Sequence, residues 1–235
     1  MLIHSIELTN FCNLACGYCP NGRDVAYPHG FISLDHYIKG LEYAIDGVGL
    51  SVCGESTLHP DLFSFIKIAR KYGKLPGLNT NGLNLTPDYC RRLVDSGLTK
   101  IEVSIHNEEC YKKYKMFCEL KLPITITSNV MSSLKDDAVK WRGSDDLPLR
   151  INYQHNWAQD DPHPTMTCKF MAEWDYCCMK WDGVIVACCF DFDGKAVLGH
   201  VDNYKELKHK PSYELCKTCS PSWATYADRN FCVWI

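Results

Sequence analysis

The stretch Asn10-Phe11-Cys12-Asn13-Leu14-Ala15-Cys16-Gly17-Tyr18-Cys19-Pro20 runs straight on from Ile3-His4-Ser5-Ile6-Glu7-Leu8-Thr9. The leading segment alternates with the period of two that marks a strand. The trailing segment sets three cysteines at C-x3-C-x2-C, in a loop at that strand's C-terminal end. Three thiolates this close in sequence can each hold one iron of a cubane cluster. No fourth ligand lies nearby, so one iron would keep an open position. Catalytic zinc sites use the same logic of three protein ligands and one exchangeable position, and a zinc site stays open as an alternative. Active sites of parallel α/β folds form at the C-terminal strand ends, where this loop sits.

Outward from this loop, strand-like and helix-like segments alternate. Ser33 is placed to cap a helix carrying Leu34, Tyr37, Ile38, Leu41 and Ile45. The apolar run 48–53 reads as a buried strand. Pro60 is expected at the first position of the next helix. A short strand is expected over 76–80, and Thr86 caps a helix beyond it. Strands follow over 99–105, 123–128 and 149–155, with helices over 107–118 and 133–142 between them. Six βα units in a row imply right-handed parallel crossovers, hence an α/β fold that is either doubly wound or a partial barrel. Residues 158–167, AQDDPHPTMT, read as a linker. Beyond it, residues 168–235 carry eight of the 15 cysteines, a hairpin signal at Asp182-Gly183, and a short helix over 202–210.

The whole chain has 235 residues, 46% apolar and 23% charged, with net charge −3. These values suit a soluble globular protein and supply no basic field for nucleic acid or anionic lipid. No apolar run approaches the ~20 residues of a membrane span, and no secretory signal pattern opens the chain. A reducing, cytoplasmic location is expected. There, an odd and excessive cysteine count points to metal or redox chemistry rather than disulfides. Cys90 and Cys118 fall in helical patterns and read as small core residues, and Cys177 and Cys178 as packing residues of the hairpin.

The cysteine loop resembles the signature of the radical S-adenosylmethionine (SAM) enzymes, CxxxCxΦC with Φ aromatic, after the first strand of a partial (β/α)6 TIM-like barrel. Here Φ is Tyr18. The resemblance implies that Cys12, Cys16 and Cys19 hold a 4Fe-4S cluster whose open iron is chelated by SAM. Cys53-Gly54-Glu55-Ser56 looks like the family's GGE-like segment, with Cys in place of the first Gly. Gly54 and Glu55 are then implied to lie against the SAM amino group. An LNTNG segment (78–82) follows in the expected order. Ser104 and Asn129 stand where the family contacts the SAM ribose or carboxylate. Plain packing for Tyr18, and strand-end capping for Ser104 and Asn129, are the structural alternatives.

A second pattern, Cys168-x14-Gly183-x4-Cys188 followed by Cys216-x2-Cys219, resembles the first part of the SPASM motif. The fuller motif continues with further cysteines, but Thr225 stands where the next would fall. The truncated twitch version is therefore implied, with one auxiliary 4Fe-4S cluster on Cys168, Cys188, Cys216 and Cys219. Gly199 matches the turn after its hairpin. Cys189 could replace Cys188, but strand neighbours point to opposite faces, and a structural zinc site on the same four thiolates is chemically possible. The expected organisation is a barrel over 1–157, a linker over 158–167 and a twitch-like unit over 168–235.

The resemblance implies reductive SAM cleavage to a 5′-deoxyadenosyl radical that takes hydrogen from substrate. An auxiliary cluster as electron acceptor favours net two-electron oxidation of a small polar metabolite. Only 11 residues precede Cys12, so the N-terminal peptide-binding domain of many peptide-modifying members is not expected. Modification of a peptide or protein is the second reading, and a non-enzymatic zinc or electron-transfer protein the third. Arg150 is a candidate for substrate binding or proton acceptance, and His155 and Trp157 for lining the pocket. The expected partners are the substrate and an external reductant such as flavodoxin or ferredoxin.

Overall fold

The computed structural model describes residues 1–16, 19, 28–152, 175–189, 191–209, 213 and 232–234. Six parallel strands follow one another in sequence order: β1 (Leu2–Ile6), β2 (Ala44–Gly49), β3 (Gly77–Thr80), β4 (Lys100–Ile105), β5 (Thr125–Met131) and β6 (Arg150–Asn152). The intervening helices are α1 (Leu34–Glu42), α2 (Leu62–Lys71), α3 (Pro87–Asp95), α4 (Glu108–Glu119) and α5 (Lys135–Arg142). A doubly wound sheet reverses its strand order at a switch point. The order here never reverses, which selects the barrel-type alternative.

Three more strands extend the sheet at β1. β7 (Tyr176–Met179) lies parallel to it, with Leu2 opposite Tyr176 and Ile6 opposite Met179. β8 (Val184–Val186) and β9 (Val197–His200) follow antiparallel. At the far edge β10 (Cys232–Trp234) pairs antiparallel with β6. The ten-stranded sheet is therefore mostly parallel.

Local chemistry sets the helix starts. Ser33 Oγ accepts from the His36 N–H, Thr86 Oγ1 from the Tyr89 N–H, and Asn107 Oδ1 from the Cys110 N–H. Each satisfies a backbone donor that the first turn leaves without an intrahelical partner. On β4, Ile101, Val103 and Ile105 are fully buried against the helical layer, which includes Tyr114 and Phe117 of α4. Their neighbours Glu102 and Ser104 face the other way, into the barrel. Register carries this face across the sheet: Glu102 sits opposite Asn79 and Thr127, and Ser104 opposite Asn129. The lumen is thus polar.

Several boundaries differ from the sequence expectation. β2 covers Ala44–Gly49 rather than 48–53, because α1 stops at Glu42 and Ala44 pairs with Ile3. The apolar residues after it belong to a buried turn. α2 begins at Leu62, since His59 Nδ1 accepts from the Asp61 N–H and keeps residues 59–61, Pro60 included, in a turn. β5 runs to Met131, drawn on by pairing with β4, so Asn129 lies within the strand and not after it. A short 3-10 turn at Ser132–Leu134 precedes α5. The expected helix over 202–210 is a 3-10 segment, Val201–Glu206. The expected linker, 158–167, lies outside the described residues.

The hairpin signal is realised at Gly183, which has φ +86. A Cβ there would lie 2.5 Å from His200 Nε2, which sits 3.0 Å from the Asp182 carbonyl oxygen. Gly183→Ala combines a left-handed backbone with this crowding and is expected to cost about 1–3 kcal/mol. A fall of several degrees in the thermal unfolding midpoint checks it. An unchanged midpoint would show that the turn relaxes freely.

Candidate active site

The turn after β2 is held from three sides. The Cys53 N–H donates to Glu7 Oε2 at 3.0 Å, and the Glu55 N–H donates to the Phe11 carbonyl at 2.7 Å. Gly54 adopts φ +79, and a Cβ there would meet the Thr9 carbonyl oxygen at 2.5 Å. Glycine at this position therefore lets the turn close against the start of the cysteine loop. Glu55 is only 2% exposed. Its Oε1 accepts from the Thr57 N–H (3.1 Å), Thr57 Oγ1 (2.6 Å) and Thr80 Oγ1 (2.8 Å), and its Oε2 from the Asn81 N–H (2.7 Å). Asn81 Nδ2 in turn donates to Asn13 Oδ1 at 2.7 Å and lies 4.0 Å from Cys12 Sγ. One buried carboxylate so ties the β2 turn to the end of β3 and, through Asn81, to the cysteine loop.

These elements enclose a cavity of ≈ 200 Å³ at the C-terminal strand ends. The structure brings Cys12, Cys16 and Cys19 to it, and with them Gly54, Glu55, Ser104 and Asn129. Residues that sequence reasoning did not assign to the site also line it, notably Cys53, Asn81, His106 and Phe192. Of these, Cys53 carried a signal as the departure from the glycine of the family segment, and Asn81 as part of the LNTNG segment, whereas His106 and Phe192 carried none. Tyr18, His155, Trp157, Cys168, Cys216 and Cys219 lie outside the described residues. Arg150 is not among the cavity-lining side chains. Its Nη1 donates to Glu102 Oε2 at 2.7 Å, on the polar lumen face. Cys188 is buried just past β8, packed with Cys178, Val186 and Cys189.

The donor set fits an iron-sulfur cluster and SAM. Burial, helped by the nearby Glu55 carboxylate and the other two cysteines, pushes the Cys12 thiol up to about 11. Three thiolates side by side need a cationic centre, and a metal that binds here displaces their protons. Among the described residues no three His, Cys, Asp or Glu side chains could hold one metal ion. A cubane makes no such demand, because each thiolate binds a different iron. Asn129 Oδ1 is buried with no hydrogen-bond partner. Such an acceptor costs about 1–3 kcal/mol unless a donor reaches it, and a SAM hydroxyl or amino group is a donor of the required kind. His106 is pushed down to about 4 by burial, so its imidazole is neutral at physiological pH.

A cluster loop after the first strand of a barrel-type sheet, with a turn locked beneath it, defines a class. Residues 6–131, a little over half of the chain, match the Radical SAM superfamily, and the chain belongs to that family. The family implies a 4Fe-4S cluster and SAM. The chain is 29% identical over 156 residues to the PqqA peptide cyclase of Rhodopseudomonas palustris, covering 63% of this chain and 37% of that protein. It is 29% identical over 114 residues to the AdoMet-dependent heme synthase of Methanosarcina barkeri, covering 46% and 33%. The matched region thus spans about a third of the length of these curated relatives. In fold it is similar to BtrN in complex with AdoMet and 2-DOIA, with TM-score 0.63, 22% identity, and coverage of 86% of this chain and 79% of that one. It is similar also to anSMEcpe with bound AdoMet, with TM-score 0.63, 14% identity, and coverage of 86% and 78%. Among the described residues no helix is long and apolar enough to cross a membrane.

Glu7 underlies this site with 0% exposure. Burial raises its carboxyl from 4.5 to about 7, against the opposing pull of Lys180 and of the Cys53 and Trp181 backbone N–H groups. The unfolded chain loses this proton near the ordinary value and the folded chain near 7. Stability therefore falls as pH rises from about 4.5 to about 7, by about 3 kcal/mol, and is flat beyond. Glu7→Gln is expected to remove that slope from the thermal unfolding midpoint measured anaerobically from pH 5 to 8. A wild-type midpoint that rises over the same range would contradict the assignment.

Proposed function

We propose that this chain is the catalytic barrel of a radical SAM enzyme that oxidises a small polar metabolite by two electrons. The carrying observation is that three loop thiols, the locked Gly54-Glu55 turn, Ser104 and the unpartnered Asn129 carbonyl meet in one cavity. On this reading Cys12, Cys16 and Cys19 hold the 4Fe-4S cluster. Gly54 lets the turn close against the cysteine loop where SAM would meet the cluster, and Ser104 and Asn129 orient its polar groups. Together the cluster and SAM, when bound, supply one-electron cleavage and hydrogen-atom abstraction. Glu55 holds the turn and the cysteine loop in register.

A small polar substrate suits the lumen. Glu102 and Arg150 form an ion pair on its wall, and Thr127 Oγ1 is a second buried oxygen without a partner. His106 faces the same cavity as a neutral imidazole, able to hydrogen-bond a substrate hydroxyl. Arg150, reaching into the lumen on Glu102, can bind a substrate hydroxyl from the other side. The fold likeness to BtrN, whose complex holds AdoMet and 2-DOIA, supports the same class. We further propose that Cys188 joins Cys168, Cys216 and Cys219 around one auxiliary 4Fe-4S cluster, in a twitch-like unit that takes the substrate's second electron. A flavodoxin or ferredoxin would deliver the first electron.

The PqqA peptide cyclases among the relatives favour a second reading, in which the substrate is a peptide.

Iron and sulfide quantitation after anaerobic purification, together with SAM turnover, tests the proposal. About eight irons per chain are expected for two cubane clusters. Dithionite should drive formation of 5′-deoxyadenosine, and Cys16→Ala should abolish it; zinc without sulfide would sink the assignment. Deuterium transfer into 5′-deoxyadenosine from a labelled polyol or aminocyclitol, but not from a labelled peptide, separates the two substrate readings. His106→Gln is expected to keep SAM cleavage and lower substrate oxidation by about tenfold, the loss expected from disturbing one hydrogen bond to the substrate. Equal substrate oxidation in the variant would remove His106 from the reaction.

A further inference from the structure

Residues 11–27 carry all three loop cysteines, and the chain entering this stretch at Asn10 meets the chain leaving it at Pro28. The Glu55 contacts reach only the entering side, at Phe11 and through Asn13. The leaving side is held by a different set. Asn10 is 4% exposed, and its Nδ2 donates to the Pro28 carbonyl at 2.9 Å while its Oδ1 accepts from the Gly30 N–H at 3.0 Å. One carboxamide so takes the carbonyl and the N–H that flank His29, the pair of groups a neighbouring strand would take. His29 Nδ1 lies 3.3 Å from the Asn10 carbonyl oxygen. The Phe11 ring stacks on His29 and packs on Phe31, at 5.4 and 5.0 Å between centroids. Behind them Thr9 Oγ1 donates to the Gly30 carbonyl at 2.7 Å, and the Ile32 N–H to the Leu8 carbonyl at 2.8 Å.

The hairpin closes this clasp from outside. Trp181 follows β7 by two residues, and its Nε1–H donates to the same Pro28 carbonyl at 3.2 Å. Both lone pairs of that oxygen are then used, one by Asn10 and one by Trp181. The indole packs directly on Gly30, where a Cβ would overlap its ring. Trp181 and Pro28 stand 153 residues apart in the chain. A residue of the C-terminal hairpin therefore braces the point where the N-terminal cysteine stretch returns to the barrel.

We propose that Asn10 and Trp181 are positioning residues for the 4Fe-4S cluster on Cys12, Cys16 and Cys19. They clasp the chain on both sides of the cysteine stretch, so the hairpin helps retain a cluster whose ligands all lie elsewhere in the chain. Gathering three thiolates around one cluster orders the chain between them, and less entropy is lost when the two ends of that chain already meet. Release of iron requires the thiolates to part, and a clasp at both ends opposes it. The proposal rests on the cluster assignment made above for Cys12, Cys16 and Cys19.

The test follows loss of the cluster to an iron chelator in the anaerobically reconstituted full-length chain. The signal read is the electron paramagnetic resonance of the reduced cluster that changes when SAM is added, which reports only the cluster with an open iron. Asn10→Ala removes both carboxamide bonds and is expected to lose that signal about tenfold faster than the wild type. Trp181→Phe keeps a ring over Gly30 but removes the donor, and is expected to lose it about threefold faster. Cluster-free Trp181→Phe should unfold within about two degrees of the cluster-free wild type. Trp181→Phe alone decides if Asn10→Ala takes up no cluster. Wild-type loss rates in the variants overturn the proposal. So does faster loss in step with a lowered unfolding midpoint of cluster-free Trp181→Phe, which would make the contact general scaffolding. A wild-type chain with no SAM-responsive signal would instead sink the underlying cluster assignment.

Discussion

The Glu55 carboxylate holds the site together. It is buried, and its two oxygens together are met by protein donors from two separate stretches of chain. A buried charge is tolerated only when hydrogen bonds replace its hydration. Here that requirement becomes a geometric device, because the donors come from the turn after β2 and from the end of β3. The Glu55 N–H adds the cysteine loop through Phe11, and Asn81 adds it again through Asn13. The loop has no regular structure of its own in its described residues, so these contacts are what give its cysteines a fixed place.

The polar lumen is the second constraint. A barrel of this type has a helix-facing side that can be wholly apolar and an inner side that must be filled or lined. Ile101, Val103 and Ile105 serve the first on β4, while Glu102 and Ser104 serve the second. Glu102 is raised by burial but answered by Arg150 first and Lys100 next. Asn129 and Thr127 keep oxygens with no protein partner. Natural interiors seldom leave such atoms unmet, and their concentration on one face beside the cysteine loop is what a polar cofactor and substrate would satisfy.

Much of this was legible in the chain because it depends on short-range spacing. Cys12, Cys16 and Cys19 declare themselves within eight residues, and Ser33 and Thr86 cap the helices they were expected to cap. The parallel βα alternation was legible too, but it left the strand order open between a doubly wound sheet and a partial barrel. What failed was the assignment of buried apolar runs: residues 48–53 are apolar because they are enclosed, and enclosure does not distinguish the end of a strand from a turn. Asn129 was misplaced for a related reason, since β5 is extended by its partner β4 and not by its own pattern. Glu7 reads as an ordinary solvent-facing position of an alternating strand. Only a sheet that curls on itself makes that face a lumen. His106 and Phe192 have no spacing relation to the motifs, and they reach the cavity through strand termination and hairpin placement respectively.

The turn after β2 also lies between the cavity and the cysteines of the hairpin. Cys53 lines the cavity with Cys19, while its neighbour Val52 packs against Cys178, Val186 and Cys188. A two-residue segment of this turn thus faces both groups. The hairpin is brought there by pairing of β7 with the free edge of β1, the strand that carries the first cysteine loop at its end. Phe192 extends the same link, for it lines the cavity while its carbonyl accepts from the buried Lys180 Nζ at 2.7 Å. The cysteine groups are therefore coupled through packed side chains and a shared strand rather than through a flexible tether.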